Sequence, residues 1–414
     1  MYLAACKNNV DIVQFLIENT EIKLKPYEFA KCTKLTEISL PPSITIIERG
    51  LFYECKSLKK VSFSESIKEI HSFAFCRCLS LKEIPSISSL IKIGDFAFTE
   101  CKLLTLITLP NTLTTICEQA FNGCKSLTKI NIPPLITEIS FCLFYNCESL
   151  KEISLPSSIK EIGKFAFYGC YSLEKVIIRS ILNSIGESAF CYCKSLKQIT
   201  YDVPSNSPSI INVINKCTYS FCSHLKNIVI PPSVKSIECY SFRGCSSLSE
   251  IKIPSSVEQI LHHAFCNCDN LKEILIPASV NVIKTHAFVN CTSLEKVTIL
   301  SPIKKIDGYT FYGCRSLKEV SFHSSLTEIG KYAFCKCSSL EYLPFDDSIE
   351  SIGKFAFSAC YSLTNISLPT TVKHVGKLSF SGCTSLTKAA IPLSIDAGYI
   401  GIKSNVINDH IDEK

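Results

Sequence analysis

Fifteen times in one periodic series a phenylalanine is followed three residues later by a cysteine, and nearly all neighbouring copies lie 23 residues apart. The series runs Phe29, Phe52, Phe75, Phe98, Phe121, Phe144, Phe167 and Phe190, then Phe242, Phe265, Phe288, Phe311, Phe334, Phe357 and Phe380. A fixed period of this size predicts a solenoid, because each repeat is one coil that buries its apolar side only by stacking on the next. The 414 residues would otherwise suggest two or three globular domains. Stacking lifts that limit, since one core can grow with every added coil. With 46% hydrophobic and only 19% charged residues, most of each coil is expected to point inward.

The coil from Leu150 to Cys170 shows how the pattern reads. Ile153 and Leu155 alternate with polar neighbours, the period-two signature of a half-buried strand. Pro156 ends that strand because it has no N–H for the ladder. Ile159 and Ile162 turn inward on the next side, where a second short strand fits, and Gly163 permits a tight bend. Ile162, Ala166, Phe167 and Cys170 then fall at helical spacing, so a single short helical turn is expected to close the coil. Alanine precedes the repeat phenylalanine at Ala74, Ala97, Ala120, Ala166, Ala189, Ala264, Ala287, Ala333 and Ala356, a small residue that lets coils approach.

These motifs resemble the leucine-rich repeats of the BspA-like type, whose coil reads L-x-x-I-x-L-P-x-S-[IVL]-x-x-I-G-x-x-A-F-x-x-C-x-S. The likeness covers about residues 26–395. The glycine of its I-G step stands at Gly94, Gly163, Gly186, Gly330, Gly353 and Gly376, and is replaced by Glu48, His71, Cys117, Glu238 and Lys284. The resemblance implies an α/β repeat solenoid, a leucine-rich-repeat arc of about sixteen 23-residue coils with a parallel sheet on one face and short helical turns on the other. It also implies a surface protein that mediates adhesion or host-partner recognition. That second implication is analogy, since fold alone does not fix function.

The expected layout has three parts. Residues 1–25 resemble the second half of an ankyrin repeat, with Val10, Val13 and Ile17 on one helical face, and would cap the first coil. Residues 26–400 form the solenoid, with an irregular insertion at 202–220, where Phe190 and Phe242 stand 52 residues apart. Pro204, Ser205, Asn206, Ser207 and Pro208 give that stretch a loop composition, and Cys222 fills the cysteine column of a shortened coil around Phe221. Residues 401–414 read as a polar tail, with a segment near Tyr399, Ile400 and Ile402 shielding the last coil.

Composition excludes several functions. No run of eighteen apolar residues predicts a membrane-spanning helix, and the first twenty residues carry Lys7, Asp11 and Glu18 with no signal-peptide pattern. The missing leader points to the cytoplasm, whereas the family resemblance points to the cell surface. Net charge is +6, with lysines spread along the repeats, so nucleic acid is not an expected partner. The cysteine column reads as small buried thiols rather than disulfides. Cys76/Cys78, Cys191/Cys193, Cys266/Cys268 and Cys335/Cys337 lie on non-adjacent coils and lack the C-x₂₋₄-C spacing of structural zinc. His263 and His286 stack on neighbouring rungs within a column that Tyr240 and Tyr309 continue, a shape-filling pattern. No catalytic motif appears, so neither an enzyme nor a cofactor is expected.

The expected binding face is the outward side of the first strand. Its candidate residues are Glu152, Ser154, Lys175, Gln198, Thr200, Asn227, Glu250, Lys252 and Glu273, a mixed-sign, hydroxyl-lined surface suited to a protein or glycan ligand. The working expectation is a monomeric, non-enzymatic binding scaffold, the alternative an intracellular scaffold of ankyrin and leucine-rich-repeat type. A second column, Tyr27, Phe73, Phe96, Phe165, Tyr219, Tyr240, Tyr309, Tyr332 and Phe355, two residues before the repeat phenylalanine, reads as packing between coils.

Overall fold

Most coils lay down two short strands and the rest one, and all add to ladders in which every strand runs parallel to its neighbour. The computed structural model describes residues 24–202 and 211–411, in two compact units, Met1–Ile210 and Ile211–Lys414. Each unit is a parallel-strand β-solenoid, and the turns of the two number about 15 in all. The expected N-terminal cap at 1–25, with Val10, Val13 and Ile17, lies outside the described residues except for its last two.

In the first unit, Glu152–Leu155, Lys175–Ile178 and Gln198–Tyr201 pair in register, Glu152 beside Lys175 and Lys175 beside Gln198. The second ladder runs through pairs such as Glu138–Ile139, Glu161–Ile162 and Ser184–Ile185. The second unit repeats the scheme with Glu273–Ile276, Lys296–Ile299 and Glu319–Ser321 in one ladder. Its other ladder includes Lys305–Ile306, Glu328–Ile329, Ser351–Ile352 and His374–Val375. The register step equals the sequence period, because a one-residue slip would turn every buried isoleucine to solvent.

Proline and serine of the repeat shape the corner between strands. Pro156 accepts from Ile159 N at 3.2 Å, closing a turn. Ser158 Oγ donates to Ile136 O of the preceding coil at 2.6 Å, and Ser233, Ser256 and Ser279 repeat that bond.

The closing segment is not helical, which corrects the helical-turn expectation and with it the α/β class. Among the described residues the helical elements are Ala397–Ile400 and the 3₁₀ turn Ser404–Val406. In the closing segments the amides alternate. Ala74, Cys76 and Cys78 donate three residues back, to His71, Phe73 and Phe75, whereas Phe73, Phe75 and Arg77 donate to Asp95, Ala97 and Thr99 of the next coil. A helix would spend every one of these N–H groups inside the coil. To aim alternate amides sideways, two residues per coil take left-handed backbone, such as Phe73 at φ 62° and Arg77 at φ 62°. The apolar spacing therefore matched a helix while the hydrogen bonds built a ladder of turns.

The glycine of the I-G step has a different role from the expected bend. A Cβ on Gly163 would stand 2.8 Å from Ile139 O, and one on Gly353 would stand 2.5 Å from Lys331 N. These glycines admit the neighbouring coil's backbone rather than supplying positive φ.

Inside, the repeat phenylalanines form a stack. Successive rings from Phe144 through Phe167 to Phe190 lie 5.4 and 5.2 Å apart, nearly parallel and fully buried. Burial contributes about 1.5–3 kcal/mol per ring, and stacking adds about 0.5–1.5 kcal/mol per pair. Tyr219, expected in the outer column, instead occupies this core stack, 5.4 Å from Phe242 and 1% exposed. The coil near the insertion is thus centred on Tyr219, with Cys222 three residues on, and Phe221 takes the left-handed position outside, at φ 60°.

Each column cysteine is a donor as well as a filler. Cys170 Sγ donates to Phe144 O at 3.1 Å, and Cys147, Cys193 and Cys291 bond the same way to Phe121, Phe167 and Phe265. Cys147 N already donates to that Phe144 carbonyl, so the thiol fills its second lone pair. Cys101, Cys147 and Cys360 are free thiols, and burial pushes all three well up.

The second unit ends in a cap. Phe380 N donates to Ile400 O at 2.9 Å, and Ile400 and Ile402 are buried over the last coil. Within the stretch expected as a polar tail from residue 401, Ile407–Ile411 pairs parallel with Lys388–Pro392.

Candidate interaction surfaces

The strand face of the first unit carries Glu152, Ser154, Lys175, Gln198 and Thr200 on three paired strands. Glu152, Lys175 and Gln198 form one exposed row, whereas Ser154 and Thr200 are half-buried. Between the rows sits a shallow depression of about 330 Å³ lined by Lys129, Asn131, Glu152, Ser154, Ile177 and Arg179. Arg179 organises it, donating from Nη1 to Ser154 Oγ and from Nε to Asp202 Oδ2 at 3.3 Å. Asn131 is spent on structure, because its amide bonds both Leu109 N and Leu109 O. Thr200 Oγ1 is sealed from solvent with no partner.

In the second unit Asn227, Glu250 and Lys252 are exposed but lie outside regular strands, and Glu273 begins the strand Glu273–Ile276. Backbone bonds from Ser249 N to Lys226 O and from Lys272 N to Ser249 O keep the coils in step. Lys252 thus falls in one outward column with Val229 and Leu275, one residue per coil. Val229 is 73% and Leu275 51% exposed. Two large apolar side chains thus stand in solvent on one face, with Lys252 between them. In the first unit Leu106, 53% exposed, stands in the row of Glu152. The polar reading of the face passed over these three residues. The signal was present, since each is apolar at a position whose equivalents are mostly polar.

The outer column is a ring ladder. Tyr240, His263, His286, Tyr309, Tyr332 and Phe355 stack with centroids 4.5–4.9 Å apart. Their faces are covered, so the packing role expected of this column holds here. His263 and His286 are 4.5 Å apart at 19°. Their in-plane lone pairs therefore run side by side and do not converge on one ion. Burial, with His286 and Arg243 adding, holds the His263 pKa down to about 4, and burial also lowers His286. Among the described residues no group of three or more His, Cys, Asp or Glu side chains could hold a metal. In Cys76/Cys78 and its three counterparts, the second thiol belongs to the buried column and the first lies beside it, with burial raising Cys76 to about 11.

Parallel strands stacked at a 23-residue period, a buried leucine, isoleucine and phenylalanine core, and an outward strand face define a leucine-rich-repeat solenoid. The profile of the BspA type leucine-rich repeat region matches residues 3–125, 92–210, 204–315 and 281–400, and the chain belongs to that family. A leucine-rich repeat protein from Bacteroides ovatus is 30% identical over 80% of this chain and 92% of its own, with TM-score 0.64. A leucine rich cell surface protein from Faecalibacterium prausnitzii is 26% identical over 67% of this chain and 83% of its own, with TM-score 0.44. Among curated proteins nothing matches the chain. Members of this fold are typically scaffolds, consistent with a protein-binding role. No helix among the described residues is long and apolar enough to cross a membrane.

Proposed function

We propose that this chain is a non-enzymatic binding protein whose strand face engages a protein partner, in surface adhesion or host-partner recognition. The observation that carries this reading is the outward column Val229, Lys252 and Leu275. Apolar side chains that cost free energy in water are held there at a fixed pitch, flanked by charge, as in the core and rim of a protein interface. Glu250 and Glu273 supply the rim on one side. In the first unit Glu152, Lys175, Gln198 and Leu106 offer a surface of the same type.

The experiment has two parts. Surface labelling of intact cells reports whether the chain is displayed. A partner identified by crosslinking to the intact protein is then titrated against Val229→Asp/Leu275→Asp and against Tyr361→Asp, an exposed aromatic outside that column. The reading expects at least a tenfold loss for the first variant and none for the second. Equal effects would remove the strand face from the argument.

A further inference from the structure

The lysines look scattered in the sequence, yet the period gathers three of them into an unpaired row. Gly330-Lys331, Gly353-Lys354 and Gly376-Lys377 occupy one position on three successive coils of the second unit. The backbone fixes them in step. Lys331 O accepts from Tyr309 N at 3.0 Å, Lys354 O from Tyr332 N at 3.0 Å and Lys377 O from Phe355 N at 3.2 Å. All three side chains are exposed, and adjacent coils stand about 4.8 Å apart.

Several other lysines of this unit face a carboxylate one coil away. Lys305 meets Glu328 at 2.8 Å, Lys296 meets Glu319 at 3.0 Å, Lys318 meets Glu295 at 3.1 Å and Lys373 meets Glu350 at 3.4 Å. The row has no such pairing. Its nearby acids are Glu328, taken by Lys305, and Asp307, which shares a groove of about 590 Å³ with Lys331, His286 and Tyr309. Lys354 Nζ leans over the Phe355 ring at 5.1 Å. The equivalent column of the first unit reads Arg49, Ser72, Asp95, Glu118, Phe141, Lys164 and Glu187, so the all-basic run belongs to the second unit alone.

Like charges stacked at this pitch repel one another, and an external anion of the same repeat would relieve them. We propose that Lys331, Lys354 and Lys377 form a docking row for a linear acidic polysaccharide, one bearing sulfate or carboxylate groups along an extended chain. The ring ladder beside the row favours this partner over a single-stranded nucleic acid. Nucleic-acid grooves offer open aromatic faces for base stacking. Here neighbouring rings at 4.7–4.9 Å close both faces of Tyr309 and Tyr332 and one face of Phe355, and Lys354 Nζ itself lies over the Phe355 ring. What remains are ring edges and the hydroxyls of Tyr309 and Tyr332, which suit sugar hydroxyls. The surface lies away from the strand face and does not depend on the protein-binding reading.

The test uses the full chain and heparin as probe, with binding followed against salt. Lys331→Gln/Lys354→Gln/Lys377→Gln is compared with Lys235→Gln/Lys296→Gln/Lys318→Gln, which removes the same charge from paired positions outside the groove. Circular dichroism checks that both variants fold. The row predicts at least a tenfold weaker affinity for the first variant alone, and a salt slope shallower by about two to three. Equal losses in both variants would mean net charge only and would overturn the proposal. So would absence of heparin binding by the native chain, or binding of an oligothymidylate as tight as heparin.

Discussion

Replacing Tyr332 by glycine should harm this protein less than replacing it by alanine, the reverse of the order in a helix or strand. Tyr332 sits at φ 57°, where an L-residue costs about 1–2 kcal/mol. Its ring stacks on Tyr309 at 4.7 Å and on Phe355 at 4.9 Å. Both substitutions lose those stacks, about 1–3 kcal/mol together. Alanine keeps the backbone cost and glycine sheds it. Glycine in turn loses about 0.4–1 kcal/mol through the freer unfolded chain, which leaves it better by about 0.5–1 kcal/mol. Had the closing segment been helical, alanine would win by about 1 kcal/mol. A long repeat array need not unfold in one step, so the assay is native-state hydrogen exchange at the Tyr309 and Tyr332 amides, which donate to Lys331 O and Lys354 O. Protection should fall in the order native, Tyr332→Gly, Tyr332→Ala. Equal or better protection in Tyr332→Ala would refute the left-handed ladder as the basis of the turn.

Ser241 and Ser379 stand in the alanine column, fully buried, with Oγ atoms that find no partner. Ser241→Ala and Ser379→Ala should each stabilise the second unit by about 1 kcal/mol, read from local exchange, and a loss would point to a hidden partner. Phe265→Ala, which empties a site between Phe242 and Phe288, should cost about 3–5 kcal/mol. Amides near Phe357 should scarcely change because coupling passes between neighbouring coils, and a uniform loss would argue against that. Native protein should show few thiols to an alkylating reagent, since burial keeps them protonated, and denaturation should release most of the 25 cysteines. His263 is held neutral, with its pKa down at about 4 against an ordinary 6.5. The unfolded chain therefore takes up the proton first as pH falls, so this stability is complete above about pH 6.5 and drains away towards pH 4. Solvent screening at a half-exposed site holds the loss to about 1 kcal/mol, and the difference from His263→Phe across that range isolates it from the carboxylates.

The sequence by itself determined the repeat, the parallel ladders and the core. Those follow from period and polarity, and each coil carries the same instruction, as when Ile153, Leu155, Ile159, Ile162 and Phe167 all point inward. It also showed which columns would line the strand face, though listing polar residues hid Val229 and Leu275 beside Lys252. The closing turn belonged to tertiary structure. Ala166, Phe167 and Cys170 have helical spacing, but where an amide donates depends on a carbonyl 22 residues away in the next coil, and no local pattern encodes that choice. The same holds for Cys170, whose smallness is legible in the sequence while its bond to Phe144 O exists only once two coils have met. The insertion is a third case. Tyr219 and Phe221 compete for one core place, and register with Phe242, set by stacking, decides for Tyr219. The lysine row follows the same logic, because charge is written along the chain but its neighbours are chosen by the stack.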